Sequence, residues 1–334
     1  MKNLTLSDFD YELPERLIAQ KPADPRDHSR LLIYHRKTGE ITDDHFYNIG
    51  EYLPGGTSLV VNNSKVEKCR LLFSKGKIEI FVTKAINNQV VEAMVRPGKK
   101  FKTKKEIQLT EEISAKTISI AEDGIRTLEL SHPLDHEKLA PFKYTPFPPY
   151  IKRDESLSGR YQTVFAKDSG SKAAPTVGLH FTPELLEKLQ KQGFQKLEIT
   201  LHVGLGTFAP VKTESIAEHK MHSEWYRITG EEAEALNNAK SITAVGTTSV
   251  RVLESAQKID GKFTTCSGET DIFITPGYKF KSTDHLITNF HLPKSTLLML
   301  ISAFAGFEET RKIYRHAISK KYRFYSFGDA MLIL

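Results

Sequence analysis

The sequence is poor in cysteine and has no long apolar run. Cys69 and Cys266 are its only cysteines, and neither has another cysteine or a histidine at metal-ligand spacing, which excludes a zinc ribbon and a disulfide scaffold. Few, isolated cysteines are typical of proteins in a reducing compartment. The longest apolar stretch, 297–307, is shorter than the ~20 residues needed to cross a bilayer, and the N-terminus lacks the apolar core of a secretory signal. These absences predict a soluble, cytoplasmic protein that does not act in a membrane.

The sequence also has little excess of either charge sign. Lys and Arg number 47 against 41 Asp and Glu, so the formal net charge is only +6 over 334 residues. This excess is weak evidence for a polyanionic partner. The 39% of hydrophobic and 10% of aromatic residues suffice for a packed core, which excludes a disordered chain. At ~150 residues per domain, the length accommodates two domains.

The hydropathy pattern divides the chain into an all-β segment and an α/β segment. Short alternating runs predict strands at 57–61, 77–82, 90–95 and 116–120, with no helical period between them. The proline-rich stretch 146–150 ends this segment as a stiff connector. Beyond it strands alternate with helices, which predicts helices covering a largely buried sheet.

The predicted fold class is α/β: a mixed-sheet α/β catalytic domain with an inserted small all-β, barrel-like domain. The first 60 residues mix strands with a predicted helix at 14–20, so we assign them to the α/β domain. That domain is predicted to comprise 1–63 plus 150–334, and the inserted domain 64–149.

Local signals place the elements of the second half. Thr182 followed by Pro183 predicts the start of a helix, and Thr229 with Glu232 forms a capping box. The predicted strands are 196–203, 242–245, 271–275 and 286–291, and the predicted helices are 182–193, one from 229, 248–258 and two more up to the C-terminus.

Three strand-to-helix junctions carry unusual side chains. In open α/β sheets, ligands bind beyond the carboxyl ends of the strands, where loops and helix N-termini offer N–H donors. The first junction, 201–208, contains His202 and then Gly204, Gly206 and Thr207. The glycines permit close approach of a ligand, although a tight turn alone would also explain them.

The second junction, 244–251, carries Thr247, Thr248, Ser249 and Arg251 in or near the first turn of a helix. An N-cap needs only one hydroxyl, so three favour a bound polar ligand.

The third junction, 287–296, is predicted to place Asn289 and His291 on one strand face, with Lys294 and Ser295 at a helix start. A cation there opposes the helix dipole, which predicts an anion nearby. A lysine extending into solvent is the alternative.

Histidines cluster in the same half of the chain: His180, His202, His219, His222 and His291. His219 and His222, with nearby glutamates, have the spacing of metal ligands, but sequence supplies no third ligand and buried, hydrogen-bonded histidines are commoner. We therefore predict no metal site. Histidines beside hydroxyl-rich loops are more typical of general acid/base chemistry.

Two basic patches stand apart from these junctions. The first, here called the lysine cluster, is predicted to lie in a hairpin of the β domain and consists of Lys99, Lys100, Lys102, Lys104 and Lys105. The second is 311–323, which includes Arg323 and is followed by the aromatic run 324–327. Solvated surface and phosphate binding are both open for each patch, with the aromatics available to stack on unpaired bases.

The sequence resembles the S-adenosylmethionine:tRNA ribosyltransferase-isomerases of queuosine biosynthesis. The most specific matches are LHVGLGTF at 201–208, VGTTSVR at 245–251, ITNFHLPKST at 287–296 and YRFYSFGDAM at 322–331. Further matches occur at 8–14, 17–20, 29–31, 61–66, 148–151, 161–164, 173–181 and 221–224. The chain departs from the family pattern at Lys65, where Arg is usual, and at Cys69, where Ala is usual. Lysine lacks the bidentate fork of arginine, which puts a gripping role for Lys65 in doubt.

The resemblance implies a reaction and its partners. The ribosyl part of S-adenosylmethionine is transferred to the aminomethyl group of a 7-deazaguanine at the tRNA wobble position and rearranges to epoxyqueuosine, with release of adenine and methionine. S-adenosylmethionine is then a cosubstrate, and no other cofactor is expected. The partners are tRNA and S-adenosylmethionine, and the protein is expected to be a monomer or weak dimer.

The reaction also suggests roles for the residues above. The catalytic candidates are His180, His202, His222, Glu224 and His291. The substrate-binding candidates are Gly204, Gly206, Thr207, Thr247, Thr248, Ser249, Arg251, Asn289, Lys294 and Ser295. Phe181 or Phe208 is expected to face the sulfonium, and the lysine cluster with Arg323 to contact RNA.

Two other function classes are open on the residues alone. A non-catalytic RNA-binding protein would use the lysine cluster, but it would not need the histidine-rich and hydroxyl-rich junctions. A metal-dependent hydrolase would be built on His219 and His222.

Overall fold

A computed structural model describes residues 4–204, 206, 211 and 213–334. The chain forms two compact units, one from 1–65 and 148–334 and the other from 66–147. The first contains a large mixed sheet with helices and the second a separate antiparallel sheet, which confirms the predicted fold class. None of the helices in the described part of the chain is long and apolar enough to span a membrane.

A nine-stranded sheet forms the centre of the first unit. Its strands are β1 (Arg30–His35), β2 (Glu40–His45), β3 (Ser58–Asn62), β13 (Gln195–Leu201), β14 (Glu224–Ile228), β15 (Ile242–Val245), β18 (Cys266–Thr270), β19 (His285–Asn289) and β20 (Ala330–Ile333). Their order is β18-β14-β13-β3-β15-β19-β20-β1-β2. The central strands β13, β3, β15 and β19 run parallel, so their carboxyl ends meet at one edge. Such an edge is where ligands bind in α/β proteins.

Helices cover both faces of this sheet. They are α1 (Pro183–Lys191), α2 (Gly230–Asn238), α3 (Thr247–Ser255), α4 (Thr296–Ala305) and α5 (Phe307–Ser319). Alternation along β1 shows the two faces: Leu32 and Tyr34 join the core beneath α2–α5, whereas Leu31 and Ile33 join the core beneath α1. Both cores exclude water from the sheet, as the apolar strands require.

The predicted helix caps are confirmed. The Thr182 Oγ1 accepts a hydrogen bond from the Leu185 N–H at 3.0 Å, with Pro183 in the first turn. At α2 the Thr229 N–H donates to Glu232 Oε2 at 2.7 Å, and the Glu232 N–H returns a bond to Thr229 Oγ1, which completes the capping box.

Three predictions of secondary structure were wrong. The helix at 14–20 is only a 3-10 turn, Glu15–Leu17, because the next residues pair with another segment: the Ala19 N–H donates to Phe324 O. The strand expected at 271–275 is instead β18, which pairs with β14. The chain ends in a strand rather than a helix, since β20 inserts between β19 and β1. In each case the observed structure depends on pairing with a segment that is distant in sequence.

The second unit is a seven-stranded antiparallel sheet of order β11-β5-β6-β7-β10-β9-β8. Its strands are β5 (Arg70–Phe73), β6 (Ile78–Ala85), β7 (Val90–Arg96), β8 (Glu106–Gln108), β9 (Ser114–Ile120), β10 (Arg126–Leu130) and β11 (Lys143–Tyr144). Alternate residues such as Ile80, Val91 and Ala93 are fully buried on one face. Two short pairs complete the structure: β4 (Ser64–Val66) with β12 (Asp168–Ser171), and β16 (Lys258–Ile259) with β17 (Lys262–Phe263).

Candidate active site

A cleft lies in the first unit at the carboxyl edge of its parallel strands. The enclosed space in it amounts to about 70 Å³. The loops that follow β15 and β19 line it through 246–248 and 288–292, and the loop 173–177 faces them. Val203, Ser295, Leu297, Tyr150, Tyr325 and Ser326 complete most of the lining. The cleft therefore brings together residues of all three predicted junctions, although the first junction contributes only Val203.

The N-terminus of α3 opens into this cleft. Gly246 precedes it at φ +96°, a conformation that favours glycine, and no side chain caps the helix. The first-turn N–H groups of a helix have no intrahelical acceptors, so they can bind an anion. Thr247 and Thr248 line the cleft, and the buried Thr248 Oγ1 has no hydrogen-bond partner among the described residues. A ligand oxygen would satisfy it.

Ser249, predicted to bind substrate, does not line the cleft. Its hydroxyl donates to Val245 O, at the end of β15, at 3.0 Å, and the residue is fully buried. This backbone carbonyl satisfies the hydroxyl, so only two of the three residues, Thr247 and Thr248, line the cleft.

His180 lies behind the cleft rather than in it. Its Nδ1 lies 2.7 Å from Ser29 Oγ and its Nε2 lies 3.0 Å from Asn289 Nδ2, while its ring stacks on Phe46. Because an amide nitrogen can only donate, Nε2 is the acceptor and Nδ1 carries the proton. Burial lowers the pKa of His180 to about 3, so the ring is neutral. His180 positions Asn289 and is not placed to contact substrate.

Asn289 and His291 do not share a strand face, contrary to the prediction, because β19 ends at Asn289. Asn289 reaches the cleft with its amide fixed: Oδ1 accepts from the Thr176 hydroxyl at 2.9 Å, and Nδ2 contacts His180. Thr176 also lines the cleft. The chain turns after Asn289, which directs His291 to Thr288 instead.

His291 is the histidine that lines the cleft. Its Nε2 lies 2.8 Å from Thr288 Oγ1, its backbone N–H donates to the Tyr314 hydroxyl at 2.9 Å, and its carbonyl accepts from the Tyr11 hydroxyl. Burial lowers its pKa to about 3, which keeps the imidazole neutral. The cleft thus contains a rigidly held neutral imidazole.

A smaller cavity of about 20 Å³ shares Leu297 with the cleft. Glu224 and Arg251 line it as an ion pair whose side chains are only 3% and 7% exposed. Glu224 Oε1 also accepts from the Gly204 N–H at 2.8 Å, and Arg251 Nη2 donates to Thr270 O at 3.1 Å. Arg251 was predicted to bind a substrate carboxylate, but a buried charge needs its counter-ion, and Glu224 supplies it.

His222 also lines this smaller cavity and is exposed. A Cβ at Gly206 would overlap the His222 ring, so glycine is required there for the close approach. The structure therefore places Gly204 and Gly206 next to Glu224 and His222. Packing explains the glycine at 206, whereas a Cβ at Gly204 would lie 3.6 Å from Glu224 Oε1, an ordinary contact distance. Thr207 and Phe208 lie outside the described residues.

Other predicted residues lie away from both cavities. The His202 ring packs 4.8 Å from the ring of Trp225 and against Gly170, and it lines neither cavity. Phe181 is fully buried against Phe46 in the core beneath α1, so it cannot face a sulfonium. Sequence periodicity did not distinguish these buried aromatic positions from cleft positions.

Of the two candidates at the start of α4, Ser295 lines the cleft and Lys294 does not. Lys294 Nζ lies 2.7 Å from Asp10 Oδ2, and this bond raises the pKa of the lysine. The expected anion is therefore the carboxylate of the chain itself, and Lys294 does not line the cleft. Ser295 lines it and caps α4, its Oγ accepting from the Leu298 N–H at 3.2 Å.

Among the described residues, no group of three His, Cys, Asp or Glu side chains is placed to hold a metal ion. His219 lies near Phe273, with ring centroids 5.3 Å apart. Burial lowers its pKa, and the proximity of His222 lowers it further.

The two basic patches differ in the structure. All five side chains of the lysine cluster are exposed, around the buried Phe101. They lie between β7 and β8, which are not neighbours in the sheet, so the predicted hairpin was wrong. The unit that carries them has 15 Lys and Arg against 11 Asp and Glu, which is most of the net charge.

Arg323 forms an internal ion pair, and the residues after it are buried in the fold. The Arg323 guanidinium donates to Asp329 Oδ1 through Nε at 3.3 Å and Nη2 at 3.1 Å. Residues 324–327 are buried, Phe324 completely, so these aromatic rings are not available to stack on unpaired bases. The run forms core and part of the cleft wall because the chain folds back against β19.

Sequence reasoning missed Tyr150, Tyr325, Ser326 and Thr176 as cleft residues. All four lie in stretches that carry the family resemblance, and Ser326 is a polar residue within an aromatic run. That pattern is the available signal in the sequence.

Three comparisons place the chain among known proteins. A family model described as queuosine biosynthesis protein matches residues 6–333. A Thermotoga petrophila protein named S-adenosylmethionine:tRNA ribosyltransferase-isomerase is 49% identical, covering 99% of this chain and 100% of that protein. One of the same name from a Thermoanaerobacter species is 51% identical over 98% and 99%. The crystal structure of S-adenosylmethionine tRNA ribosyltransferase from Thermotoga maritima has a TM-score of 0.57 at 40% identity and covers 98% of this chain and 100% of that one.

Proposed function

The chain belongs to the queuosine biosynthesis protein family, and on that premise we propose how its first unit carries out the S-adenosylmethionine:tRNA ribosyltransferase-isomerase reaction. The enzyme transfers the ribosyl group of S-adenosylmethionine to the aminomethyl-deazaguanine at the tRNA wobble position. Isomerisation forms epoxyqueuosine, and adenine and methionine leave. The observation that carries this function is a cleft with an uncapped helix N-terminus and a neutral histidine, in a chain matched over 6–333 by the family model.

The methionine carboxylate binds at the N-terminus of α3. The two cations among the binding candidates are already paired, Lys294 with Asp10 and Arg251 with Glu224. The helix N-terminus offers N–H donors, a favourable dipole and the Thr248 hydroxyl. Thr247 and Thr248 are therefore the substrate-binding residues that the geometry supports best.

His291 donates a hydrogen bond to the departing adenine. A histidine whose pKa is lowered to about 3 is a weak base, poorly suited to removing a proton from C5′. A neutral imidazole N–H can nevertheless stabilise negative charge that develops on a leaving group. Because Nε2 contacts Thr288, Nδ1 is the ring atom available for this bond.

His222 is the base for the C5′ proton. Protons beside a sulfonium are acidic enough for a positioned base to remove. His222 lies in the smaller cavity, which adjoins the cleft at Leu297, and it is exposed to an incoming substrate. The Glu224–Arg251 pair fixes the wall beside it.

We further propose that S-adenosylmethionine is consumed as a cosubstrate, that no other cofactor takes part, and that the enzyme acts as a monomer or weak dimer. It works in the cytoplasm, where its tRNA substrate is found. Nothing in the comparisons supports the non-catalytic RNA-binding alternative.

The direct test is product analysis. Purified protein supplied with S-adenosylmethionine and tRNA bearing the aminomethyl-deazaguanine is expected to release adenine and methionine in equal amounts, measured by chromatography. The matched control is the same tRNA with guanine at the wobble position, which should give no release. Binding of the modified tRNA without release of adenine would refute the function.

The lysine cluster is proposed to contact tRNA phosphates. Exposed lysines on a unit with excess positive charge release counterions when they bind a polyanion, so affinity falls with salt in proportion to the contacts made. Replacing Lys100, Lys102 and Lys104 with glutamine is expected to reduce the slope of log K against log salt by about 2 to 3. Filter binding of tRNA over a salt series measures this slope.

A second triple substitution provides the control for that experiment. Lys75, Lys77 and Lys84 are also exposed lysines of the β unit, and their change to glutamine removes the same charge. If both triples lower the slope equally, the cluster is merely solvated surface.

A further inference from the structure

Two tyrosines form an aromatic wall of the cleft, and neither has a role in the proposed reaction. Tyr150 and Tyr325 both line it, with ring centroids 4.7 Å apart and ring planes inclined by 50°. Their positions are far apart in sequence, so the wall exists only in the folded chain. Aromatic faces in small-molecule clefts bind flat rings or cations.

The backbone at Tyr325 is strained. Its φ is +72°, a conformation unfavourable for a bulky L-residue, and the other non-glycine residues of positive φ in the described ranges are all polar. Two hydrogen bonds hold it: the Tyr325 N–H donates to Phe290 O at 3.1 Å, and the Gly328 N–H donates to Tyr325 O at 2.9 Å. Strain of this kind clusters at ligand sites, where the fold maintains it to aim a side chain.

The hydroxyl of Tyr150 is also fixed. It lies 2.9 Å from Ser326 Oγ, and burial raises its pKa to about 12, so the phenol is protonated at neutral pH. Ser326 lines the cleft beside the two rings. The wall thus combines two aromatic rings with hydroxyl groups at its edge, which suits a heterocycle that can both stack on one ring and form hydrogen bonds.

We propose that the Tyr150–Tyr325 wall is the subsite for the adenine base of S-adenosylmethionine. The inference rests on the proposed function, which supplies this ligand. His291 follows Phe290, to which Tyr325 is hydrogen-bonded, so the imidazole assigned to the leaving adenine adjoins the wall. A sulfonium has no hydrogen-bonding group and would make no use of Ser326, which favours adenine as the occupant.

Calorimetry with adenine alone and methionine alone tests the subsite. Loss of a base–aromatic stack costs about 1–3 kcal/mol, so Tyr150→Leu is expected to weaken adenine binding by about 5- to 150-fold. Tyr150→Phe keeps the ring and should retain adenine binding within a few fold. Methionine affinity should not change in either variant, and it also reports that the cleft is folded. Tyr47→Leu, outside the cleft, is the matched control.

Several results would overturn the subsite. Unchanged adenine binding in Tyr150→Leu excludes it. If Tyr150→Leu loses methionine binding equally, Tyr150→Phe decides, because loss of adenine binding in a variant that keeps the ring also excludes the subsite. Weaker binding of S-adenosylmethionine without weaker binding of adenine would assign the wall to the sulfonium, and weaker tRNA binding alone would assign it to the wobble base. Product release by the wild-type protein in the same preparation tests the proposed function separately, so failure of the subsite leaves that function standing.

Discussion

His291→Gln is expected to lower kcat by about 10²- to 10³-fold, the usual cost of removing one hydrogen-bond donor that stabilises developing charge. Glutamine can preserve the contact that His291 Nε2 makes with Thr288 Oγ1, but it lacks a counterpart of Nδ1, which is the atom proposed to face adenine. His291→Asn has the converse design, with an amide near the position of Nδ1, and should retain more activity. The steady-state rate of adenine release gives kcat for the wild-type protein and both variants.

The pH profile provides a second readout for the same residue. Burial lowers the pKa of His291 to about 3, so its imidazole is neutral above that pH and becomes charged only below it. The profile of kcat between pH 5 and 9 should therefore contain no inflection that disappears in His291→Gln.

His202→Gln tests whether His202, a catalytic candidate from the sequence, takes part in the reaction. His202 packs on Trp225 outside both cavities, so its substitution should change kcat by only a few fold. If instead His202→Gln abolishes turnover while His291→Gln is active, the assignment of the cleft as the adenine site is wrong.

Glu224→Leu is expected to destabilise the protein by about 3–5 kcal/mol, because it leaves the Arg251 guanidinium buried without its counter-ion. The two side chains are 3% and 7% exposed, so solvent cannot replace the lost carboxylate. The variant also removes the acceptor of the Gly204 N–H. Urea unfolding followed by circular dichroism gives the free energy of unfolding.

The double variant Glu224→Leu/Arg251→Met is the control. With both charges removed, well-packed apolar side chains can replace a buried pair at little cost, so most of the stability should return. A loss below about 1 kcal/mol in Glu224→Leu would show that the pair is solvated. A stable double variant that binds S-adenosylmethionine but has no turnover would return Glu224 to the catalytic residues.

Much of the α/β fold could be predicted because its signals are local. Thr182 and Thr229 cap helices through residues three positions away, and that spacing is visible in the chain. The helix predicted at 14–20 failed for the opposite reason, since its residues pair with Phe324. The aromatic run 324–327, for which base stacking was left open, forms core and cleft wall for the same reason.

The candidate site was predicted in part. The junctions at 244–251 and 287–296 do meet at one cleft, because the carboxyl ends of parallel strands share an edge. Which side chains face that cleft was not predictable. Arg251, Lys294 and Ser249 each match a ligand-binding pattern, yet Glu224, Asp10 and the backbone of Val245 already satisfy them.

The sequence by itself determined the α/β class, the inserted β segment, the helix caps and the family resemblance, because these depend on residue types at short or fixed spacings. Only the tertiary structure decided that His291 lines the cleft, that His180 lies behind it, and that Tyr150 joins Tyr325 in its wall. Those outcomes depend on burial and on partners more than a hundred residues away for His180 and Tyr150. Residue type shows that a side chain can bind a ligand, whereas only the fold shows whether a neighbour already does so.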